Sequence, residues 1–246
     1  MAIDFGFPAG TALLITGAGS GIGKATALHA ARMGVACSVW DINPDGLGRT
    51  VAELDAIGAR SHSVVADVAD EEDVRRGIAE ATSELGPISL LHNNAGPPSS
   101  VPLAFDEAIV MSIGSVRRMT EAWAATGPGE GAAMVVTSSV AGNLVGTESD
   151  WYSASKAALA GYVRHLSAHR AHEFRSNAVA PGMTLTPRLE QFAASDMGRR
   201  ILDRIPLHRM ASADDIALAT LFLLSPAASY INGVLLPVDG GWTTTQ

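Results

Sequence analysis

Short apolar, β-branched runs alternate with longer amphipathic stretches along the whole chain. The short runs predict strands at Ala12–Thr16, Ala36–Trp40, Ser63–Ala66, Ser89–His92, Ala133–Thr137, Asn177–Ala180 and Val234–Pro237. Apolar positions at helical spacing predict helices at Lys24–Met33, Gly46–Ile57, Glu71–Leu85, Phe105–Thr126, Tyr152–His172 and Ala213–Leu224. This alternation implies βαβ units. The nearly unbroken apolar character of the strands implies a parallel sheet covered on both faces, an α/β doubly wound fold. No repeat, low-complexity tract or linker divides residues 1–246, so one domain is expected, and Gly127-Pro128-Gly129-Glu130-Gly131 reads as a turn. The stretch from Gly182 to about Ser212 carries no clear period. Irregular stretches of that length in a compact domain are usually binding segments, so residues 183–212 are expected to serve as one.

Composition narrows the classes. Hydrophobic residues make up 47% and charged residues 17% of the chain, which is globular rather than disordered. The formal net charge is −8 and the basic residues are scattered, so a nucleic-acid partner is not expected. No apolar run approaches the ~18 residues of a membrane span. The first basic residue is Lys24, so the charged start of a signal peptide is not expected, and a cytoplasmic protein fits. Cys37 is the only cysteine and lies among apolar neighbours, where it reads as a small buried hydrophobe. A single cysteine excludes a cysteine-based metal cluster.

Thr16-Gly17-Ala18-Gly19-Ser20-Gly21-Ile22-Gly23 follows the first strand and opens the first helix. Glycines there allow a tight turn and let backbone N–H groups approach a pyrophosphate at the helix N-terminus, which is a dinucleotide-binding arrangement. Lys24 does not make a phosphate-binding P-loop, because Ala25 follows it instead of Ser or Thr. Asp41 closes the second strand 18 residues after Gly23. A carboxylate there hydrogen-bonds ribose hydroxyls and repels a 2′-phosphate, favouring NAD over NADP; the alternative is a solvated acid beside the turn Asn43-Pro44-Asp45-Gly46. Asp67, followed by Val68, ends the third strand and either caps the next helix or touches adenine. Tyr152 and Lys156 lie four apart on one helix face, and Ser139 ends the fifth strand 13 residues upstream of Tyr152. Strand carboxyl ends surround the ligand crevice of such a sheet, so the three can share it.

With these residues in place the chain resembles the short-chain dehydrogenase/reductase family over essentially its whole length. The glycine signature matches Thr16–Gly23, and the Asn-Asn-Ala-Gly element matches Asn93-Asn94-Ala95-Gly96. The Ser and Tyr-x-x-x-Lys elements match Ser139 and Tyr152-Ser153-Ala154-Ser155-Lys156. Pro181-Gly182 with Thr184 and Thr186 matches the segment at the nicotinamide end, and Leu236 to Trp242 matches the family's carboxyl-terminal ending. The resemblance implies a Rossmann-type sheet of seven strands in the order 3-2-1-4-5-6-7 and an NAD-dependent oxidoreductase acting on a secondary alcohol or ketone of a small, partly apolar substrate. It implies that Tyr152 is the general acid/base and that Ser139 holds the substrate oxygen. Lys156 would bind the nicotinamide ribose and favour the phenolate, since a free Tyr titrates near 10. Gly17, Ser20, Gly21, Ile22, Gly23, Asp41, Asp67, Val68, Asn94, Ala95 and Gly96 would line the cofactor site. A homo-oligomer, dimer or tetramer, is implied as well.

Two positions depart from the family pattern. The family's catalytic Asn aligns with Ser112, with only 15 residues between Gly96 and Ser112. A Ser in mid-helix is expected to bend the helix by hydrogen-bonding back to the Ala108 carbonyl. Arg117 and Arg118 stand where apolar residues are expected, and a subunit or solvent contact is the only reading available. His165, His169 and His172 lie beyond Lys156 on a helix that also carries Arg164 and Arg170, so no metal is expected, and Asp214 with Asp215 reads as a helix cap after Ser212. His92 and His208 are assigned no role. The segment after Gly182 mixes Met183, Leu185, Leu189, Phe192 and Ile201 with Arg188, Arg199, Arg200 and Arg204, and Trp151 is placed to wall a pocket. The competing reading, a non-catalytic dinucleotide sensor, draws support only from Ser112. A third, an epimerase or dehydratase, needs a longer carboxyl-terminal region.

Overall fold

β1 (Ala12–Thr16) contains no charged residue, and all five of its positions are buried. A strand enclosed on both faces belongs at the centre of a sheet. It pairs in parallel with β2 (Ala36–Asp41) and with β4 (Leu90–Asn93), placing Ile15 opposite both Val39 and His92. The computed structural model describes residues 3–186 and 195–245. Adding β3 (Ser61–Val65), β5 (Ala133–Thr137), β6 (Arg175–Pro181) and β7 (Leu235–Val238), the described residues form an all-parallel seven-stranded sheet in the order 3-2-1-4-5-6-7, as the resemblance implied.

Helices cover both faces. On one side α1 (Gly21–Arg32), α2 (Pro44–Ala56) and α8 (Ala213–Leu224) bury Ala27, Leu54 and Leu221 against Leu13, Ile15 and Val39. On the other, α3 (Glu71–Leu85), α5 (Ser115–Ala124) and α6 (Asp150–His169) bury Ile78, Trp123 and Leu166 against Leu14, Trp40 and Met134. Cys37 lies in the first of these layers, fully buried, with its thiol pushed up to about 12 by the loss of water. Ser212 and Asp215 form a reciprocal capping box at the start of α8, so the acid pair is a helix cap.

The structure corrects four local expectations. The helix expected over Phe105–Thr126 is α4 (Phe105–Ile109), then one wide turn of π type at Val110–Gly114, then α5. The irregular stretch after Gly182 contains a helix, α7 (Asp196–Asp203), capped by the Ser195 hydroxyl; Arg188, Leu189 and Phe192 lie outside the described residues. Asp67 and Ser139 sit two residues past β3 and β5 rather than ending them. Arg118 is not a bare surface charge: it donates to the Val68 carbonyl at 3.3 Å, tying α5 to the loop after β3.

Candidate active site

Between β1 and β4 the winding of the sheet reverses, which opens a crevice at the strand carboxyl ends. The glycine loop lies on one side of it. A Cβ on Gly23 would stand 2.2 Å from the Gly17 carbonyl oxygen, so only glycine lets α1 approach the turn this closely. Ser20 precedes α1, yet its side chain makes no capping hydrogen bond, and the first turn holds no acidic residue. The leading N–H groups are therefore available to an anion, and the loop fits a pyrophosphate. Thr186 packs against the loop, its Cγ2 3.4 Å from where a Cβ on Gly21 would stand.

Asp41, at the end of β2, accepts the Gly19 N–H at 2.7 Å and the Asn43 N–H at 2.9 Å. These bonds fix the carboxylate at the mouth of the glycine loop and leave lone pairs for a ribose. Asp67 is exposed and accepts the Ala69 N–H, while Asp70 caps α3, so Asp67 shapes the turn before the helix rather than capping it.

A buried hydrogen-bonded chain holds the centre of the crevice. Thr16 Oγ1 accepts the N–H groups of Asn94 and Ala95, both at 3.0 Å. Asn94 Nδ2 donates to the carbonyls of Thr16 and Gly17, which sets the orientation of its carboxamide. Its Oδ1 then accepts the Thr137 hydroxyl at 3.0 Å. With that proton committed, the 2.9 Å contact between Thr137 Oγ1 and His92 must be donated by His92 Nε2. His92 is fully buried and its Nδ1 has no partner, so burial holds its pKa down at about 3. Sequence reasoning gave His92 no role and did not single out Thr137. Their pairing depends on β4 and β5 being neighbours in register, with His92 opposite Val135, which periodicity does not show.

Ser149 caps α6 and accepts the Tyr152 N–H, which sets Tyr152 in the first turn. The Tyr152 ring meets the buried Trp151 edge-on at 5.6 Å, so Trp151 supports the tyrosine directly. One turn on, Lys156 Nζ lies 5.5 Å from the Tyr152 ring centroid and donates to the Thr137 carbonyl at 2.8 Å. Ser139 Oγ accepts the Ala141 N–H, so its own proton can serve another acceptor. Asn143, which the sequence did not single out, donates through Nδ2 to Ser138 Oγ and to the carbonyls of Ser139 and Lys156. That bond set ties the loop after β5 to α6. Gly142 permits it, because a Cβ there would stand 2.0 Å from the Ser153 carbonyl oxygen.

Ser112, Tyr152 and Lys156 line one small cavity together with Ala95 and Gly96, while Ser139 is joined to its wall through Asn143. Ser112 stands inside the π turn, and its carbonyl accepts the Ser115 hydroxyl at 3.4 Å. Among the described residues no hydrogen bond joins the Ser112 hydroxyl to Ala108. The helix is distorted at Ser112 as expected, but by the wider main-chain turn. On the far side, Pro181 accepts the Val140 N–H, Gly182 donates to Val238, and Thr184 donates to the Gly182 carbonyl. His208 is exposed.

Residues 17–243 match the family model described as enoyl-(acyl carrier protein) reductase. The chain is 33% identical over 239 residues to the 7alpha-hydroxysteroid dehydrogenase of Escherichia coli (strain K12), covering 94% of each. It is 33% identical over 248 residues to the cyclohexanol dehydrogenase of Acinetobacter sp. (strain SE19), again covering 94% of each. A solved 7 alpha-hydroxysteroid dehydrogenase, complexed with NADH and 7-oxo glycochenodeoxycholic acid, superimposes with a TM-score of 0.88 at 32% identity over 95% of this chain and 94% of that one. With the glycine loop, the Tyr152–Lys156 pair and the strand order on one frame, the chain is a nicotinamide-dependent oxidoreductase that belongs to the short-chain dehydrogenase/reductase family.

Proposed function

We propose that this enzyme is an NAD-dependent dehydrogenase of a secondary alcohol carried on a mainly apolar ring, working between the alcohol and its ketone. The observation that carries the proposal is the convergence of Tyr152, Lys156 and Ser112 on one cavity, together with a glycine loop whose Gly19 N–H is held by Asp41. Gly17, Ser20, Gly21, Ile22 and Gly23 would hold the pyrophosphate, Asp41 the adenosine ribose, and Asp67 and Val68 the adenine side. Asn94, Ala95 and Gly96, with Pro181, Gly182, Thr184 and Thr186, would enclose the nicotinamide half. The bound nicotinamide supplies the chemistry of accepting or donating a hydride.

The protein moves the proton. Tyr152 takes the hydroxyl proton when the alcohol is oxidised and returns it when the ketone is reduced. The Lys156 ammonium attracts the charge that forms on the phenol oxygen as its proton leaves, and its bond to Thr137 holds it in place for that task. Ser139 donates its free proton to the substrate oxygen. Large apolar side chains stay exposed at Leu144 and Leu185, in the segments after β5 and β6 that also hold Ser139 and Gly182, and they suit an apolar ring. The hydroxysteroid and cyclohexanol substrates named for the relatives point the same way. A cytoplasmic homo-oligomer fits this reading, the buried Cys37 being inert in a reducing setting.

The test is a panel of cyclohexanol, cyclohexanone, a 7α-hydroxy bile acid and linear secondary alcohols, each with NAD(H) and NADP(H), followed at the nicotinamide absorbance. Turnover of cyclic substrates with NAD is expected. Preference for linear alcohols would overturn the ring assignment, and preference for NADP the cofactor assignment.

A further inference from the structure

His92 is fully buried in β4, where the sheet sets Ile15 and Val135 opposite it on either side. Both belong to the apolar layer on the α1 and α8 side. A buried polar side chain is costly unless its groups are bonded. Burial keeps this imidazole neutral, with one N–H, and that N–H goes to Thr137 Oγ1 at 2.9 Å while Nδ1 has no partner. An apolar side chain would fill the same place and leave no nitrogen unpaired. What the imidazole adds there is the bond to Thr137.

Thr137 stands at a break in the sheet. The last pair between β4 and β5 is Asn93 with Val136, so Thr137 lies one residue beyond it. The Asn94 and Ala95 N–H groups, which would continue the ladder towards Thr137, are taken by Thr16 Oγ1. The Thr137 carbonyl is thereby released from β4, and it accepts the Lys156 ammonium at 2.8 Å. Side chains replace the missing ladder: Thr137 Oγ1 donates to Asn94 Oδ1 at 3.0 Å and accepts from His92. With one bond given and one received, the hydroxyl is held in a single orientation. Fixing that side chain fixes the carbonyl of the same residue, and polar support of this kind keeps a functional group in its working geometry.

We propose that His92 is a positioning residue: by donating to Thr137 it sets the main-chain carbonyl that holds the Lys156 ammonium beside Tyr152. The same threonine meets Asn94, whose Nδ2 spans the carbonyls of Thr16 and Gly17, so the glycine loop and the lysine are braced from one point. Loss of the His92 bond frees Thr137 to rotate, and Lys156 then loses its fixed acceptor while keeping its charge. The effect on turnover rests on the proposed roles of Tyr152 and Lys156; the hydrogen bond from His92 does not.

Nitrogen NMR of wild type at neutral pH should show His92 as the Nε2–H tautomer, with its ring proton protected from solvent. The Nδ1–H tautomer overturns the proposal even if no alcohol is turned over. With cyclohexanol and NAD, His92→Leu should lower kcat about 3- to 10-fold, the scale of one lost hydrogen bond, and raise the NAD Kd about 2- to 5-fold. His92→Gln, whose amide can place an N–H where the imidazole carries its own, should recover most of both. Thr137→Val removes the same bond from the other side, and tests it if the leucine variant does not fold. The double variant should be no slower than the slower single one, because the two side chains form one bond. Unaltered kcat and Kd, losses that multiply, or a His92→Gln enzyme as impaired as His92→Leu would make His92 a packing residue.

Discussion

Asp41 Oδ2 accepts the main-chain N–H of Gly19 at 2.7 Å, so the carboxylate at the end of β2 is locked onto the turn expected to cradle the cofactor. A 2′-phosphate on the adenosine ribose would have to share that position with a fixed negative charge. We expect NAD to bind at least ~10-fold more tightly than NADP, a difference of about 1.4 kcal/mol or more. Asp41→Asn keeps an oxygen for the turn while removing the charge, and should bring the two affinities closer. Fluorescence titration with both cofactors decides it, and equal affinities in wild type would remove Asp41 from the cofactor site.

Tyr152→Phe should abolish turnover while leaving NAD affinity within a few-fold, because the hydroxyl is assigned to the substrate. Lys156→Ala should harm both, since the ammonium beside the tyrosine is also assigned the ribose. General acid/base assistance is worth ~10²- to 10⁴-fold, so a Tyr152→Phe enzyme that keeps a tenth of the wild-type rate is using another group.

The π turn at Val110–Gly114 bears on Ser112. Such turns recur at functional sites because they present main-chain groups that a regular helix conceals. The distortion here is a property of the backbone, so Ser112→Ala should keep it and slow turnover by only about 3- to 30-fold, as for one hydrogen bond and some water order. Ser112→Asn should be tolerated. Steady-state kinetics of both variants measure this, and an unchanged rate in Ser112→Ala would make Ser112 a packing residue.

His92 makes stability depend on pH. Its pKa is about 3 in the folded protein, against about 6.5 for a free imidazole, so below pH 6.5 the unfolded chain binds a proton that the folded one refuses. Stability from this residue is therefore full above pH 6.5. It falls as pH drops toward 3, by up to ~1.4 kcal/mol per unit. Thermal unfolding of wild type and His92→Val between pH 4 and 8 should show a steeper acid loss in wild type. Parallel curves would mean that the imidazole is solvated or protonated in the folded state.

Arg175 opens β6 and gathers the carboxyl end of α8. Its guanidinium donates to the carbonyls of Leu223, Leu224, Ser225 and Ile231 at 2.8–3.2 Å. Removing it strands three acceptors at the end of α8, the Ile231 carbonyl keeping the Asn177 amide as donor, so Arg175→Met should cost about 2–4 kcal/mol. For a domain of this size that is a drop in Tm of roughly 5–15 °C, with kcat unchanged. A smaller shift would show that water replaces the guanidinium at no cost.

Strand and helix order, parallel pairing and the glycine loop were readable in the chain because each rests on local pattern: buried strands carry charge only at their ends, and a tight turn onto a helix demands glycine at Gly23. The residues Ser139, Tyr152 and Lys156 were readable because their types and spacing are local as well. What only the tertiary structure decided are relationships between strands far apart in sequence. His92 became the buried donor to Thr137 once β4 and β5 lay in register, Asn143 became the clamp on Lys156 once α6 packed over β5, and Arg118 found the Val68 carbonyl from α5. The π turn at Ser112 and helix α7 were hidden for a related reason. A single extra residue in a helical turn barely disturbs the apolar period, and a helix of two turns is too short to establish one. Hydrogen bonds between remote segments obey geometry that only the packed sheet supplies, so the residues proposed to carry the chemistry could be named from the chain while the groups that hold them in place could not.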